Sequence, residues 1–258
     1  MDEKNKQLAE LIGQSKNTVF FGGAGVSTES GIPDFRSETG LYAARKVYGY
    51  PPETLLSHSL FIEKPSLFFR YYKENLVFRD VKPNAAHIAL ARLEKQGLLQ
   101  AVITQNVDGL HQAAGSENVL ELHGSNWRHY CLDCKAEYSL EYTLQPVNCR
   151  DEVVPVCEKC GGIVRPDIVL YEESLDGRVL SAATEAIEAA GLLIVGGTSL
   201  AVYPAAGLLR YFGGKNLALI NKSETPYDGD AQLVIHDAIG KVLEEVCCLL
   251  AQEGRAVV

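Results

Sequence analysis

Short apolar runs alternate with amphipathic segments along most of the chain, which is the pattern of an α/β protein. Residues 2–15 have apolar positions at helical spacing and predict a helix, and the apolar run Thr18–Phe21 predicts a buried strand. Segments of the same two kinds follow in alternation, with helices predicted at 84–96, 178–190 and 238–252 and strands at 102–103, 119–122, 192–195, 217–220 and 231–235. We therefore predict an open sheet of parallel strands.

Two segments interrupt this alternation. Residues 38–82 are rich in aromatic residues and leucine, and Pro51, Pro52 and Pro65 divide them into short helices. Residues 126–168 contain two Cys-x2-Cys pairs. We predict a small helical module in the first segment and a metal-binding module in the second.

The two cysteine pairs, Cys131–Cys134 and Cys157–Cys160, predict a structural zinc site. Such pairs offer four thiolates to a tetrahedral ion, which leaves no open position for chemistry. Cys149 lies between the pairs, as an incidental thiol or a rival ligand. Cys247 and Cys248 lie in the predicted closing helix and are expected to be small core residues.

Polar side chains cluster where two neighbouring predicted strands end. Gln105, Asn106 and Asp108 follow the run at 102–103, and His123 follows the apolar run that ends at 122. Ligands of open α/β sheets bind outside the carboxyl ends of parallel strands. We therefore predict that these four side chains surround one crevice, the reaction centre, and that the other five histidines are structural.

A glycine-rich stretch follows the first predicted strand. Gly22, Gly23 and Gly25 would let the backbone approach a pyrophosphate, which a helix N-terminus also attracts. Thr28 stands in place of the third glycine of the dinucleotide fingerprint, and no acidic strand end follows about 20 residues later. The stretch alone indicates a phosphate loop or a glycine-rich turn without a ligand.

Two further groups of residues could contact the same ligand. Phe35 and Arg36 follow the glycine loop. Phe35 could cover a nicotinamide ring, and Arg36 could bind phosphate or ribose. In the alternative interpretation Phe35 is a core residue and Arg36 is a surface charge. Thr198 and Ser199 follow one predicted strand, and Asn221 follows the next. Glycine and hydroxyl groups at a strand end are typical of a ribose or phosphate site.

Net charge and the length of the apolar runs bear on whether the protein binds nucleic acid or a membrane. The chain has 258 residues and a net charge of −9, which argues against nucleic acid because phosphate binding needs a basic face. No apolar run approaches the roughly 18–20 residues that span a bilayer, so we expect no membrane partner. Seven cysteines without a secretory signal indicate a reducing compartment, and we expect a cytoplasmic protein.

The motifs together resemble those of the sirtuins, the NAD-dependent protein lysine deacylases. They occur in the order of that family and span nearly the whole chain, as in a bacterial-type single-domain member. The matching stretches are GAGVSTESGIPDFR at 23–36, TQNVDGLH at 104–111, LHG at 122–124, the two cysteine pairs, GTSL at 197–200 and Asn221.

The resemblance implies an inverted Rossmann-like parallel sheet with a smaller inserted domain. Residues 1–37, 83–125 and 169–258 would form the NAD-binding domain. A helical module at 38–82 and a zinc-ribbon module at 126–168 would form the small domain.

The resemblance also implies a role for each candidate residue. His123 would be the general base, and Asn106 and Asp108 would orient nicotinamide and a ribose-bound water. Val169 and Tyr171 would pair with the substrate peptide as an added strand. The remaining residues would bind NAD: Ala24, Thr28, Phe35 and Arg36 at its loop, Gln105, Val107 and Asp108 at nicotinamide, and Thr198, Ser199 and Asn221 at the adenosine end.

The implied reaction consumes NAD. The acyl oxygen of the substrate lysine would attack the ribose C1′ as nicotinamide leaves, and His123 would deprotonate the ribose hydroxyl that attacks the imidate. The products would be nicotinamide, lysine and O-acyl ADP-ribose. Two other interpretations stay open: an ADP-ribosyl transferase, in which a protein nucleophile captures the ribose, and a zinc-ribbon adaptor without catalysis.

Some positions depart from the family pattern. Gly22 stands where the family usually has threonine, and Glu172 stands at the glycine of a Phe-Gly-Glu segment, which could favour basic residues in the peptide. Phe69 and Tyr72 stand where succinyl- and malonyl-removing sirtuins carry tyrosine and arginine. Without that arginine an acyl carboxylate has no partner, so acetyl or longer neutral acyl groups are expected.

Overall fold

The computed structural model describes residues 2–33 and 44–252. Within these ranges the strands are β1 (Thr18–Gly22), β2 (Ala101–Thr104), β3 (Val119–Glu121), β4 (Gly124–Cys131), β5 (Glu137–Ser139), β6 (Cys149–Arg150), β7 (Val154–Pro155), β8 (Val164–Ile168), β9 (Leu192–Gly196), β10 (Asn216–Ile220) and β11 (Leu233–Ile235).

Six of these strands form the central sheet, in the order β11-β10-β9-β1-β2-β3. All of its strand pairs are parallel. This is the Rossmann order, in which the chain builds outward from β1 on one side and then from β9 on the other. The carboxyl ends of β2 and β3 lie side by side, with Thr104 opposite Glu121, so the predicted sheet and the predicted neighbours are confirmed.

Helices cover both faces of this sheet and bury its apolar side chains. Glu3–Gln14, Ala85–Lys95 and Ile239–Gln252 pack on one face. Gly177–Glu188 and the 3-10 helix Ala205–Tyr211 pack on the other.

One predicted helix has the predicted cap, and in the closing helix the two cysteines differ in burial. The Asn84 side chain accepts a hydrogen bond from the Ala86 N–H at 2.9 Å and caps its helix. In the closing helix Cys247 is buried but Cys248 is exposed, so the prediction of two core cysteines was wrong for Cys248. Successive helical residues point about 100° apart, and only one of two neighbours can face the core.

The small domain contains a helical part and a cysteine-rich part. Its helices are Pro52–Leu55, His58–Glu63 and Pro65–Asn75, with a further helical turn at 44–48. Pro52 and Pro65 occupy first-turn positions, where a missing N–H costs no hydrogen bond. The buried core of these helices is largely aromatic: Phe61, Phe68, Phe69, Tyr71 and Tyr72.

The cysteine-rich part is built on β4, which pairs antiparallel with β5 and β8, and on the ribbon of β6 and β7. The short helix Leu110–Ala113 lies before β4 in the chain, and the short helix Leu140–Leu144 follows β5. Strand β4 begins directly after His123 and ends at Cys131, so one strand joins the predicted base to the predicted metal site. Among the described residues, no helix combines the length and apolarity needed to cross a bilayer.

Because three histidines are buried, we expect the fold to lose stability in mild acid. Burial lowers the pKa of His87 and His129 to about 4 and that of His111 to about 3, from 6.5. The unfolded chain therefore binds protons below pH 6.5 that the native state does not bind. The stabilisation is complete above pH 6.5 and is lost as pH falls toward 4, by up to about 1.4 kcal/mol per pH unit for each histidine.

Urea unfolding at pH 7 and pH 5 measures this effect. The free energy of unfolding is expected to be lower at pH 5, and His111→Leu is expected to reduce the difference. Equal free energies at the two pH values would contradict the prediction.

Candidate active site

A cavity of about 270 Å³ opens at the carboxyl ends of the central strands. Loops that follow β1, β2, β3 and β9 form its floor, and residues of the small domain and of the segment after β8 form the opposite wall. Nine of the predicted site residues line it: Ala24, Gln105, Asn106, Val107, His123, Val169, Tyr171, Thr198 and Ser199.

The other predicted site residues within the described ranges do not line the cavity. Thr28 donates its hydroxyl hydrogen to the Gly25 carbonyl at 3.0 Å, within the glycine loop. Asn221 follows β10, and its amide donates to the Ser223 carbonyl at 2.8 Å. Neither these two nor Asp108 is among the lining residues. Phe35 and Arg36 lie outside the described residues.

The ring of His123 is held in one tautomer. Its Nδ1 lies 2.8 Å from the main-chain carbonyl oxygen of Gln105. A carbonyl can only accept, so in the neutral ring the proton is on Nδ1 and the lone pair is on Nε2. The carbonyl oxygen of His123 accepts from the Val169 N–H at 2.9 Å, which also fixes the main chain. His123 is therefore oriented as a proton acceptor in the cavity wall.

Gly124 is required for this placement. Its φ is +77°, and an added Cβ would lie 2.0 Å from the Asp167 carbonyl oxygen of β8. We expect Gly124→Ala to destabilise the protein by more than about 3 kcal/mol, because it combines left-handed strain with a backbone clash.

Gly97→Ala is the matched control for this substitution. Gly97 has a φ of +72°, but nothing lies within 4 Å of an added Cβ, so we expect a loss of about 1–2 kcal/mol from strain alone. Denaturant unfolding of both variants measures the difference, and equal losses would show that the contact with β8 is unimportant.

Asn106 and Asp108 meet at the hydroxyl group of Ser27. Ser27 donates to the Asp108 carboxylate at 2.7 Å and accepts from the Asn106 amide at 3.0 Å. His87 Nδ1 accepts from the Asn84 N–H at 3.3 Å, so its proton is on Nε2, which lies 3.5 Å from the Ser27 hydroxyl oxygen. The donor and acceptor of each hydrogen bond in this series are therefore defined. The series fixes the Asn106 side chain through the Ser27 hydroxyl.

The Asp108 side chain is half-buried and accepts two hydrogen bonds. Burial raises the pKa of its carboxyl group, while hydrogen bonds from the Leu110 N–H and the Ser27 hydroxyl lower it. His111 is buried, its ring centroid lies 4.8 Å from that of His87, and neither nitrogen has a hydrogen-bond partner among the described residues.

Sequence reasoning missed Ser27 and treated His87 and His111 as ordinary structural side chains. Ser27 and His111 lie within the two longest motifs, which was the signal available. His87 is three residues after the Asn84 cap, but nothing in the sequence joins it to Ser27, 60 residues away.

Two glycine-containing loops form the floor of the cavity and approach each other closely. The Gly25 N–H donates to the Gly197 carbonyl at 2.8 Å, and an added Cβ at Gly25 would lie 2.8 Å from the Gly197 Cα. The Gln105 amide donates to the Thr198 hydroxyl at 3.1 Å. The result is a floor of glycines and hydroxyl-bearing residues at the switch point of a Rossmann sheet, which suits a dinucleotide.

The opposite wall is held to the helical part of the small domain. The Tyr171 N–H donates to the Leu56 carbonyl and its carbonyl accepts from the His58 N–H, both at 3.0 Å. Both main-chain groups of Tyr171 are therefore bonded within the protein, and the predicted pairing of Tyr171 with a peptide strand cannot use them in this arrangement. Glu172 has a φ of +76° at the position of the family's glycine, and its carboxylate accepts two hydrogen bonds from Ser59.

The four predicted metal ligands come together. The sulfur atoms of Cys131, Cys134, Cys157 and Cys160 all lie within 4.8 Å of one another. Two of the sulfur pairs are 3.5 and 3.6 Å apart, close to the about 3.8 Å between sulfurs expected for tetrahedral zinc. Cys149 is not part of this cluster. The donor set therefore fits a structural zinc ion.

Similar proteins were found by sequence. A family model described as the Sir2 family matches residues 23–204, more than half of the chain. An NAD-dependent protein deacetylase of Clostridium acetobutylicum is 57% identical over 95% of this chain and 98% of its own. Another from Clostridium perfringens is 58% identical over 95% of this chain and 99% of its own.

Solved structures similar to this chain are also Sir2 proteins. A Sir2–p53 peptide–NAD+ complex superposes with a TM-score of 0.82 at 38% identity, covering 97% of this chain and 99% of that one. A Sir2 bound to acetylated peptide gives 0.82 at 37% identity, with the same coverage. By family match, sequence identity and fold, the chain belongs to the Sir2 family.

Proposed function

We propose that the protein is an NAD-dependent protein deacetylase, which cleaves NAD to nicotinamide and transfers the acyl group of an acyl-lysine to ADP-ribose. The observation that carries this proposal is the position of His123, oriented by the Gln105 carbonyl in the wall of a cavity whose floor suits a dinucleotide. Relatives at 57 and 58% identity are named NAD-dependent protein deacetylases.

The residues of the cavity floor would bind NAD, which supplies an electrophilic ribose carbon when its bond to nicotinamide breaks. Ala24, Thr28, Phe35 and Arg36 would contact it at the glycine loop, Gln105, Val107 and Asp108 at nicotinamide, and Thr198, Ser199 and Asn221 at the adenosine end. Asn106, fixed by Ser27, would orient nicotinamide and a ribose-bound water. His123 would accept the proton of a ribose hydroxyl at Nε2.

An acyl-lysine peptide would enter between the NAD site and the small domain. Val169 and Tyr171 line that side of the cavity and would contact the peptide, Tyr171 through its ring. Phe69 and Tyr72 are buried, and the Tyr72 hydroxyl lies 3.3 Å from His129 Nε2. Neither presents a cation to the acyl chain, so we expect acetyl and longer neutral acyl groups to be preferred over succinyl.

The chain would form two domains. Residues 1–37, 83–125 and 169–258 would form the NAD-binding domain, and 38–82 with 126–168 the small domain. Zinc held by the four cysteines would stabilise the small domain without taking part in the reaction. We expect a cytoplasmic enzyme whose partners are acyl-lysine proteins or peptides.

Labelled NAD separates this function from ADP-ribosyl transfer, which would begin with the same bond cleavage. With NAD labelled in the adenosine part and an acetyl-lysine peptide, a deacetylase places the label in soluble O-acetyl ADP-ribose. A transferase leaves the label covalently on protein. Label on protein as the main product would reject the proposal in favour of the transferase.

A further inference from the structure

Strand β4 carries a bulge directly after the cavity wall. Gly124 and Ser125 pair with β8, and regular pairing resumes only at His129, opposite Pro166. Residues 126–128 are therefore outside the ladder with β8, although Arg128 pairs with Ser139 of β5. Bulges redirect side chains and are frequent beside active sites. Here the bulge faces the loop of residues 105–109, which follows β2 and carries the predicted nicotinamide-side residues.

Three carbonyl groups of this loop accept hydrogen bonds from the segment 123–127. His123 Nδ1 donates to Gln105 O at 2.8 Å, and the Asn126 N–H donates to Val107 O at 2.9 Å. The indole Nε1 of Trp127 donates to Asp108 O at 2.8 Å. The first bond comes from the ring of His123, just before β4, the second from the main chain of β4, and the third from the Trp127 side chain.

Trp127 fits against a glycine in the same loop. Gly109 has a φ of +74°, and an added Cβ would lie 2.6 Å from the Trp127 Nε1 and 2.7 Å from its Cδ1. The indole thus takes the space that a side chain at 109 would occupy. Trp127 is 44% exposed, so its contacts contribute little to the hydrophobic core.

The bulge is attached to β3 of the central sheet and to its own neighbour β8. Arg128 forms ion pairs with Glu121 of β3 at 2.8 Å and with Asp167 of β8 at 2.9 Å. The Asn126 amide donates to the Leu76 carbonyl at 2.6 Å. Held in this way from both sides, the bulge has a defined position from which Trp127 contacts the loop.

We propose that Trp127 is a positioning residue for the reaction, which acts through the Asp108 carbonyl and Gly109 to fix the loop that forms the nicotinamide side of the site. This inference rests on the proposed function. Asp108 binds Ser27, and Ser27 binds Asn106, so a shift of the main chain at 108 moves the donor and acceptor groups of the loop together.

Trp127→Phe tests the role because phenylalanine keeps a flat ring over Gly109 and removes the N–H. We expect the KM for NAD and the concentration of nicotinamide that half-inhibits the enzyme both to rise about three- to tenfold. The KM for the acetyl-lysine peptide should change by less than about twofold, and the thermal midpoint should stay unchanged. General destabilisation would instead lower kcat at constant KM.

Two further variants sharpen the test. Gly109→Ala keeps Trp127 but displaces its indole, and we expect it to raise the same two constants. Val147→Ala removes an exposed side chain of the same module, 85% exposed, and should change none of them. Unchanged NAD and nicotinamide constants in Trp127→Phe, or an equal change in the peptide KM, would overturn the proposal.

Binding of NAD measured by calorimetry separates this inference from the proposed function. If the wild-type protein binds NAD but releases no nicotinamide with peptide, the proposed function fails. The inference is then still tested by the affinity for NAD, which Trp127→Phe should weaken by the same factor. Equal NAD affinities in wild type and variant would reject it.

Discussion

Replacing His123 with alanine is expected to lower the deacetylation rate by about 10²- to 10⁴-fold, the usual contribution of a general base. The reason is its fixed tautomer, because the Gln105 carbonyl holds Nδ1 and leaves the lone pair on Nε2. His123→Gln is the matched variant, since a glutamine amide can still donate to that carbonyl but cannot take up a proton. It should be as inactive as His123→Ala.

Steady-state kinetics with an acetyl-lysine peptide, together with thermal unfolding, measure this prediction. Both variants should unfold near the wild-type temperature. Exchange of labelled nicotinamide into NAD should fall less than deacetylation, since the base acts after nicotinamide has left. Near-normal deacetylation in either variant would show that His123 is not the base.

Disruption of the cysteine cluster is expected to abolish activity by unfolding the small domain. Structural zinc contributes about 10–16 kcal/mol of apparent binding free energy to small modules. Strand β4 runs from Gly124, beside the base, to Cys131 in the cluster. Loss of the metal would therefore release the strand that fixes His123 and the bulge.

Cys131→Ser and Cys149→Ser form the matched pair for this prediction. Cys131 is buried and belongs to the cluster, whereas Cys149 lies between the two pairs and outside it. Metal analysis should find one zinc per chain in wild type and Cys149→Ser, and less in Cys131→Ser, with activity following the zinc. A full zinc content in Cys131→Ser, or its loss in Cys149→Ser, would contradict the assignment.

The sequence predicted the features that depend on local pattern. The apolar runs located the central strands, and the polar residues after β2 and β3 located the cavity because parallel strands place their carboxyl ends together. The spacing of the cysteine pairs identified the cluster. The Asn84 cap was predictable because its chemistry is complete within three residues.

Features that depend on distant contacts were not predictable from one sequence. Asp108 was expected at the crevice, but it binds Ser27, 81 residues away, and does not line the cavity. Trp127 has no motif, and its role depends on a bulge and on the absence of a side chain at Gly109. Such relations arise from tertiary packing, which hydrophobic periodicity does not encode.

Release of nicotinamide with and without an acetyl-lysine peptide is the most direct test of the central claim. We expect NAD to be stable with the protein alone, and the peptide to cause release of nicotinamide in an amount equal to that of deacetylated peptide. Absence of peptide-dependent release, in protein that contains zinc and is folded, would contradict the assignment of this site as a deacetylase.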